Sequence, residues 1–241
     1  MQKEGQIKVS SENIFPIIKK WLYSDKDIFL REIVANACDA IKKYQSLCSI
    51  GEAENDGIKP RIEVIADKNA KTLTVTDNGI GMTADEVEKY ITQIAFSGAE
   101  EFIEKYKDKS EDNAGIIGHF GLGFYSSYMV SESVEIETLS YQPNSQPVHW
   151  VSDGSTTYEI TDGTRTQHGT SIIMHITEDE EEFLDKDKLR DLLLKYCHFM
   201  PYEIYLNPAE EEAVVTKDAD GNEIKHLSLI HISEPTRPEP I

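Results

Sequence analysis

The sequence predicts an α+β fold in which helices lie on one face of a mixed, mostly antiparallel β-sheet. Its 241 residues suit one sizeable domain, or a domain plus a fragment, since about 100–200 residues per domain is usual. Segments near both ends carry apolar residues at helical spacing, whereas many short segments between them alternate apolar and polar residues. No internal repeat is visible, so the chain is expected to be a series of ordinary helices and strands.

Two helices and a hairpin are predicted in the first third of the chain. Ser11–Tyr23 has apolar residues at helical spacing and tolerates Pro16 because that proline lies in the first turn. A second, longer helix is expected from Asp27 to about Leu47. Arg61–Asp67 and Lys71–Asp77 then alternate apolar and polar residues around a short polar connection, which predicts a β-hairpin.

The capping-box pattern Thr83-Ala-Asp-Glu86 predicts a helix to about Gln93, and Glu100–Tyr106 is amphipathic. A glycine-rich stretch, Gly115 to Gly123, leads into an apolar helical pattern at Phe124–Val130. The rest of the chain predicts a helix at Asp187–Phe199 and strands at Ser133–Leu139, Val148–Ser152, Thr156–Thr161, Thr170–Thr177 and Tyr202–Leu206.

The composition argues against several classes of protein. With 24 basic and 44 acidic residues, the formal charge of -20 repels polyanions, so neither nucleic acid nor an anionic membrane is an expected partner. The amino end lacks the apolar core of a signal peptide, and no run of about 18 apolar residues suggests a membrane span, so a cytoplasmic location is expected. Cys38, Cys48 and Cys197 have no paired metal spacing, which favours buried reduced thiols.

The carboxy-terminal segment 227–241 changes character abruptly and carries three of the nine prolines. It resembles translated adapter sequence joined to a truncated gene, so it is expected to be non-native and outside the fold. Just before it, Asp218-Ala-Asp-Gly-Asn222 superficially suggests a calcium loop. Its glycine comes too early for an EF-hand, and a hairpin turn is the better interpretation.

A polar stripe on the second helix is the first candidate site. At 100° per residue, a narrow sector that borders the buried face contains Glu32, Asn36, Asp39 and Lys43. A solvated, salt-bridged face is the alternative, and Asp39 with Lys43 at i,i+4 would suit it. Asn36 favours a site, because asparagine is a weak helix former and its amide oxygen is a good ligand for a hard cation. Glu32, one turn away, is a possible general base.

The second candidate is Asp77-Asn-Gly-Ile-Gly81-Met82, which follows the predicted strand Lys71–Asp77. An aspartate followed by glycine is commonly just a turn. Here, however, the carboxylate ends a strand beside glycines that let the backbone approach a flat ligand. A carboxylate there could accept a hydrogen bond from an exocyclic amine such as that of adenine.

The third candidate is the glycine-rich run from Gly115 through Gly118 and Gly121 to Gly123, before an apolar helical pattern. Glycines that open a helix expose backbone N–H groups to anions such as phosphate. The run is neither a Walker A loop nor the dinucleotide G-x-G-x-x-G, and a mobile loop is an equal alternative. The chain has no G-x-S-x-G motif, so serine-hydrolase chemistry has no support.

In this order, the three candidates and Gly169-Thr170 resemble the ATP site of the GHKL superfamily and, within it, the bacterial members of the heat shock protein 90 family. The likeness covers about residues 5 to 215. Its most specific phrases are Ile28-Phe-Leu-Arg-Glu-Ile, Asp77-Asn-Gly-Ile-Gly-Met-Thr83, Ile94-Ala-Phe-Ser-Gly98 and Gly118-His-Phe-Gly-Leu-Gly-Phe-Tyr125. Four motifs in the right order and spacing are highly specific.

The resemblance implies the Bergerat ATP-binding fold, a two-layer sandwich with helices over an eight-stranded, largely antiparallel sheet. It implies that Glu32 is the catalytic general base that activates water. Asn36 would hold magnesium through its amide oxygen, and Asp39 would belong to the ATP site. Asp77 would accept from the adenine amine, with Thr170 supporting it through water.

The same resemblance implies that Gly81 and Met82 line the base pocket. Contacts to the phosphates would come from the backbone of Gly118, Gly121, Gly123 and Phe124. Two departures from the family pattern leave the contacts at the lid base open. Phe96 stands where many members carry lysine, and Tyr90-Ile-Thr-Gln93 replaces an Asn-Leu-Gly-Thr run.

At the level of domains, the resemblance implies an ATP-binding domain over residues 1–215, with a lid at about 97–118. Residues 216–226 would begin the linker to a middle domain that the sequence lacks, along with the family's dimerisation domain. The chain is therefore expected to be a monomer that binds ATP with Mg²⁺ but hydrolyses it slowly or not at all. The parent would be a homodimeric chaperone that couples ATP binding and hydrolysis to the folding of client proteins.

Three other functions remain open. A histidine-kinase catalytic domain shares the glycine boxes but needs no general base for water, which Glu32 supplies here. A type II topoisomerase or mismatch-repair ATPase would need a DNA partner, and the charge of -20 disfavours one. A nucleotide-sensing module that regulates partner contacts without productive catalysis is the alternative from a different class.

Overall fold

The computed structural model describes residues 25–92, 98–106, 121–155, 157–207, 214–217 and 223–226. The predicted helix Ser11–Tyr23 and the segment 227–241 lie outside the described residues, as do Gly118 and Phe96. Of the lid predicted at 97–118, only 98–106 are described.

A seven-stranded sheet organises the described chain, in the order β5-β4-β3-β6-β2-β1-β7. Its strands are β1 (Arg61–Asp67), β2 (Thr72–Asp77), β3 (Ser131–Leu139), β4 (Val148–Ser152), β5 (Glu159–Asp162), β6 (Gly169–Ile176) and β7 (Glu203–Leu206). Neighbouring strands are antiparallel except β1 and β7, which are parallel. The predicted mixed, mostly antiparallel sheet is confirmed, and the described residues contribute seven strands to it where the resemblance implies eight.

Two further strands form a separate hairpin in which β8 (Val214–Lys217) pairs antiparallel with β9 (Glu223–His226). These strands flank the predicted turn at Asp218–Asn222. The proposed domain boundary at residue 215 falls inside β8, and the segment proposed as a linker, 216–226, contains β9. The strands of this hairpin do not join the seven-stranded sheet.

Four helices are described: α1 (Ile28–Ser49), α2 (Ala84–Ile91), α3 (Gly98–Tyr106) and α4 (Lys186–Cys197). Each matches a helix predicted from the sequence to within a few residues. The helical pattern predicted at Phe124–Val130 forms a 3₁₀ helix, Gly123–Met129. A second 3₁₀ helix, Glu178–Leu184, was not predicted.

The core lies between α1 and the inner face of the sheet. Alternate strand residues such as Ile62, Val64 and Ile136 are fully buried, as are Phe29 and Val34 on α1. The strands therefore show the period of two that an antiparallel sheet with one covered face requires. A single layer of helices on one face confirms the α+β sandwich.

The helix α2 begins with the capping box that the sequence predicts. The Thr83 hydroxyl accepts from the Glu86 N–H at 3.3 Å, and the Glu86 carboxylate accepts from the Thr83 N–H at 2.8 Å. Two backbone N–H groups of the first turn thus gain partners within the chain.

No helix in the described part of the chain is long and apolar enough to cross a membrane. Cys38 and Cys197 are buried free thiols, and Cys48 is half-buried.

Candidate functional site

A cavity of about 810 Å³ opens between α1, the ends of the central strands and the helices α2 and α3. Every predicted site residue within the described ranges lines this cavity: Glu32, Asn36, Asp39, Asp77, Gly81, Met82, Gly121, Gly123, Phe124 and Thr170. Gly118 lies outside the described residues. Side chains from distant parts of the chain therefore converge on one space.

One end of the cavity is formed where α1 meets the 3₁₀ helix Gly123–Met129. A Cβ atom on Gly123 would lie 3.0 Å from Glu32 Oε2 and 3.5 Å from Asn36 Nδ2, so this backbone runs directly beside both side chains. A side chain at this position would press on the end of the Glu32 side chain. A carboxylate and an amide therefore lie beside the last glycine of the glycine-rich run, an arrangement that could accommodate phosphates and a cation.

Arg31 holds the Glu32 carboxylate in the described conformation. Its Nε donates to Glu32 Oε1 at 3.1 Å, and its Nη2 forms an ion pair with the same oxygen. The Glu32 side chain keeps 22% of its surface exposed, so water can reach it.

Asp39 lies deeper in the cavity and is only 6% exposed. A solvated, salt-bridged face, the alternative for the polar stripe, therefore does not describe this residue. Burial lowers the pKa of Lys43, an effect opposed by the negative charges of Asp39 and Glu86. The stripe thus runs from accessible Glu32 and Asn36 into the protein interior.

Asp77 ends β2 at the other end of the cavity, opposite Thr170 of β6. Its Oδ1 accepts from the Gly79 N–H at 2.8 Å. Burial raises the pKa of Asp77 to about 6, although the Gly79 N–H, Arg165, the Thr170 N–H and His168 all favour the ionised form. A buried carboxylate held in this way is suited to accept from a polar N–H group of a ligand.

The glycines after Asp77 fit because side chains would collide with neighbouring backbone. A Cβ on Gly79 would lie 2.4 Å from the Ala40 carbonyl carbon. A Cβ on Gly81 would lie 1.8 Å from the Leu139 carbonyl oxygen, and its φ of +61° also favours glycine. The Asp-x-Gly-x-Gly loop is therefore packed between α1 and the end of β3, where it supports Asp77.

Thr138 is a site-supporting residue that the sequence reasoning missed. Its Oγ1 accepts from the Met82 N–H at 3.0 Å, donates to the Gly169 carbonyl at 3.1 Å and lies 2.9 Å from Thr170 Oγ1. It thus joins the loop after β2 to β6. The sequence signal that could have identified Thr138 is its polar side chain at an inward-facing position of β3, on the same face of the strand as buried Val134 and Ile136.

The rim of the cavity contains aromatic residues from the helices and from the loop after β3. Phe102, Tyr106 and Tyr141 line it, and none of them was among the predicted site residues. Tyr90, where the sequence departs from the family pattern, also lines the cavity and donates to Glu101 at 3.0 Å. The departure therefore lies in the wall of the cavity.

A metal ion in this cavity would need a bound nucleotide to provide most of its ligands. The described part of the chain contains no group of three or more His, Cys, Asp or Glu residues arranged to hold a metal. Asn36 offers one amide oxygen at the accessible end of the cavity. One protein oxygen fits Mg²⁺ that arrives with a nucleotide, because Mg²⁺ keeps several waters and binds substrate phosphates.

The fold and the cavity define a class of protein, the nucleotide-binding ATPase domains with one helix layer over a mixed sheet. A family model described as histidine kinase-, DNA gyrase B- and HSP90-like ATPase matches residues 24–182. The chain belongs to this family.

Individual relatives of known name indicate to which members of this family the chain is similar. The chain is 53% identical over 211 residues to a protein of Porphyromonas gingivalis strain W83, and 51% identical over 211 residues to one of Bacteroides thetaiotaomicron. These alignments cover 88% of the chain and 30% of each relative. A protein of Sulfurimonas denitrificans is 38% identical over 91% of the chain and 35% of its own length.

All three relatives are named chaperone protein HtpG. The resemblance to the bacterial heat shock protein 90 family is therefore confirmed. The chain spans about a third of the length of these relatives.

Proposed function

We propose that the chain is the ATP-binding domain of a molecular chaperone that couples ATP binding and hydrolysis to protein folding. The observation that carries the proposal is the cavity, which brings Glu32 and Asn36 beside Gly123 at one end and buried Asp77 to the other. In a bound ATP molecule the adenine ring would lie at the Asp77 end and the phosphates at the Glu32 end, so ATP binding requires both ends of the cavity. The family match and the relatives named as chaperones support the same function.

In the proposed binding mode, the Asp77 carboxylate accepts a hydrogen bond from the adenine amine. Thr170 supports it from the paired strand, where its hydroxyl lies beside Thr138. Gly81 and Met82 line the base pocket. Gly121, Gly123 and Phe124 provide backbone contacts to the phosphates, as proposed also for Gly118.

For hydrolysis, Glu32 accepts a proton from the attacking water, and Asn36 provides an amide oxygen to magnesium. Magnesium bound with ATP would neutralise charge that develops on the phosphates. Arg31 occupies one oxygen of Glu32 in the described conformation, which restrains the orientation of this carboxylate towards an attacking water. This contact supports the proposal that the isolated chain hydrolyses ATP slowly.

The rest of the proposed function concerns the longer parent. The chain spans about a third of its relatives, so we propose a middle domain, client proteins, a homodimeric parent and a cytoplasmic location, with the isolated chain a monomer. Neither nucleic acid nor a membrane is a proposed partner. A histidine kinase, a DNA-dependent ATPase or a pure sensing module is not favoured, because the relatives quoted above are named as chaperones.

Calorimetric titration of the 241-residue chain with ATP and ADP in the presence of Mg²⁺ tests the proposal. Wild-type chain should show saturable binding. Asp77→Asn should abolish most of it, because the amide presents an N–H group where adenine needs an acceptor. Asp162→Asn is the matched control, since Asp162 is exposed at the end of β5 and should not affect binding.

The absence of binding by the wild-type chain, with circular dichroism showing a folded protein, would overturn the proposed function. Full binding by Asp77→Asn would instead show that adenine does not bind at Asp77. A separately expressed remainder of the parent should raise ATP hydrolysis by the chain. No change on adding it would favour the sensing module.

A further inference from the structure

Arg165 lies in the connection between β5 and β6 and is not among the residues that line the cavity. Its Nη1 donates to the Ser171 hydroxyl at 2.6 Å. Its Nη2 donates to the main-chain oxygens of Asp77 at 3.3 Å and of His168 at 3.4 Å, and its Nε donates to the Gln167 carbonyl at 3.3 Å. One guanidinium thus joins the end of β2 to the start of β6.

The guanidinium approaches Asp77 from the backbone and not from the cavity. A Cβ on Gly169 would lie 2.2 Å from the Asp77 carbonyl oxygen and 2.9 Å from Arg165 Nη2, so glycine leaves room for the guanidinium here. Ser171, which accepts from Arg165, is also 2.9 Å from the Thr76 hydroxyl of β2. Arg165 can therefore fix the backbone of Asp77 without contacting a ligand in the cavity.

The charge of Arg165 acts on the Asp77 carboxylate as well. Of the charged groups around Asp77, Arg165 does most to favour its ionised form, against the burial that raises the pKa of this carboxyl to about 6. Burial lowers the pKa of Arg165, but the charges of Asp77, Glu137 and Glu63 oppose this effect. A guanidinium keeps its proton in proteins, so the charge is present at every pH considered below.

Two other titratable groups face Asp77. His168 also favours the ionised carboxylate, and its Nδ1 lies 2.6 Å from the Gly79 carbonyl oxygen. On α1, burial raises the pKa of the Cys38 thiol, and the charges of Asp39 and Asp77 add to this effect. The thiol is therefore neutral and leaves the balance of charge at Asp77 to Arg165 and His168.

We propose that Arg165 is a positioning residue for the adenine end of the cavity: its hydrogen bonds fix the end of β2, and its charge keeps the Asp77 carboxylate ionised. This inference rests on the proposed function and deepens it, because it names a residue outside the cavity that sets how tightly nucleotide binds.

The two effects of Arg165 separate with pH. At about pH 8.5, Asp77 is ionised and removal of one charge leaves it so, and the lost hydrogen bonds alone weaken binding. At about pH 5.5, a proton competes with adenine for the Asp77 carboxylate. Loss of the Arg165 charge raises the pKa of Asp77 further, so the proton competes more strongly and affinity falls more than at alkaline pH.

The test is calorimetric titration of the 241-residue chain with ADP and Mg²⁺ at about pH 5.5 and about pH 8.5. Arg165→Gln removes the charge, whereas Arg165→Lys keeps the charge and loses the planar fork of donors. Arg190→Gln is the matched control, because it removes an arginine that pairs with Asp187 on α4. The ratio of wild-type to variant affinity at each pH cancels titration of the nucleotide and of groups that both chains share.

Arg165→Gln should bind ADP about threefold more weakly than the wild type at alkaline pH, the scale of one net hydrogen bond. At acid pH the loss should grow by a further factor of about three, as one charge near a buried carboxylate would cause. Arg165→Lys should show the same loss at both pH values. Arg190→Gln should bind like the wild type at both.

A loss in Arg165→Gln that does not change with pH would overturn the inference, since a merely structural arginine would act equally at both values. An equally pH-dependent loss in Arg165→Lys would also overturn it, because the charge would then not be the cause. Should circular dichroism show that Arg165→Gln is unfolded, Ser171→Ala keeps the charge and removes the acceptor at 2.6 Å. Unchanged ADP binding by both Ser171→Ala and Arg165→Lys would overturn the inference. Absence of wild-type binding at both pH values would overturn the proposed function as well.

Discussion

Among single residues, Asp77, the proposed acceptor for adenine, reduces the stability of the fold at neutral pH. Its pKa is about 6, above the ordinary 3.8, so the folded chain binds this proton more tightly than the unfolded chain. The stability that the group contributes is therefore present at acid pH and is lost as the pH rises through about 6. At neutral pH, the ionised carboxylate is held in the core at a free-energy cost.

Asp77→Asn should accordingly stabilise the fold at pH 7.5 while it impairs nucleotide binding. The expected gain in free energy of unfolding is on the order of 1–3 kcal/mol, because one pKa unit corresponds to about 1.4 kcal/mol. Urea denaturation at about pH 7.5 and about pH 4.5 measures it, and the gain should shrink at the lower pH. A variant less stable than the wild type at both values would show that the ionised carboxylate stabilises the fold through its N–H partners.

Glu32 is predicted to act on catalysis and not on affinity. Glu32→Ala should leave the dissociation constant for ATP within about twofold and reduce hydrolysis by on the order of 10²–10⁴-fold, as loss of a general base does. Single-turnover hydrolysis with protein in excess over ATP provides the rate. Glu132→Ala, at an exposed position of β3, is the matched control. Unchanged hydrolysis in the Glu32 variant would remove Glu32 from the mechanism.

How far the site could be predicted depended on whether a residue's role follows from its local pattern. Glu32 and Asn36 could be found because helical spacing places them on one stripe, and Asp77 because it ends a strand before two glycines. Thr138 and His168 could not be found in this way. Their contacts, with Met82 and Thr170 in one case and with Gly79 and Asp56 in the other, join parts of the chain far apart in sequence.

Among the elements, α2 depends on its capping box and forms part of the cavity wall through Glu86, Tyr90 and Ile91. Thr83→Ala removes the acceptor for the Glu86 N–H and should lower the free energy of unfolding by about 1 kcal/mol. Urea denaturation at neutral pH is the measurement. Thr92→Ala at the other end of α2 is the control and should cost less, since its hydroxyl satisfies no N–H group of the first turn and donates to the Glu88 carbonyl four residues back. Equal losses of free energy of unfolding in the two variants would mean that the capping box stabilises α2 no more than an ordinary threonine contact does.

Helices and strands with strong periodicity were predicted to within a few residues, but the 3₁₀ helix Glu178–Leu184 was not. Its run of acidic residues has no apolar period, which is typical of a loop. Its position depends on tertiary packing, since the Phe183 ring packs edge-on against Phe29 of α1 at 5.1 Å. A single aromatic contact of this kind cannot be read from local sequence.

Across the whole molecule, the charge of -20 makes the folded chain repel itself. Raising NaCl from about 0.05 M to about 0.5 M should therefore increase the free energy of unfolding by roughly 1 kcal/mol, because screening shortens the range of these repulsions. Urea denaturation at each salt concentration tests this, with KCl expected to act like NaCl. A decrease with salt would mean that the exposed ion pairs outweigh the net repulsion.

The order of strands in the sheet could not be predicted, although most of the strands were. Alternation shows which residues face the core, but it does not show which strands become neighbours. The parallel pairing of β1 with β7 joins segments separated by more than half of the chain. Asn207 adds to this pairing, since its backbone N–H donates to Val64 and its side-chain oxygen accepts from Ala66 at 2.8 Å.

The pairing of β7 with β1 has a consequence for how the domain is made on the ribosome. The edge of β1, with Ile62 and Val64 fully buried in the finished fold, has no partner on that side until β7 has been synthesised. An unpaired apolar edge is a template for association with other chains. A nascent chain of this protein therefore carries an open sheet edge from the synthesis of β1 until the strand Glu203–Leu206 has left the exit tunnel.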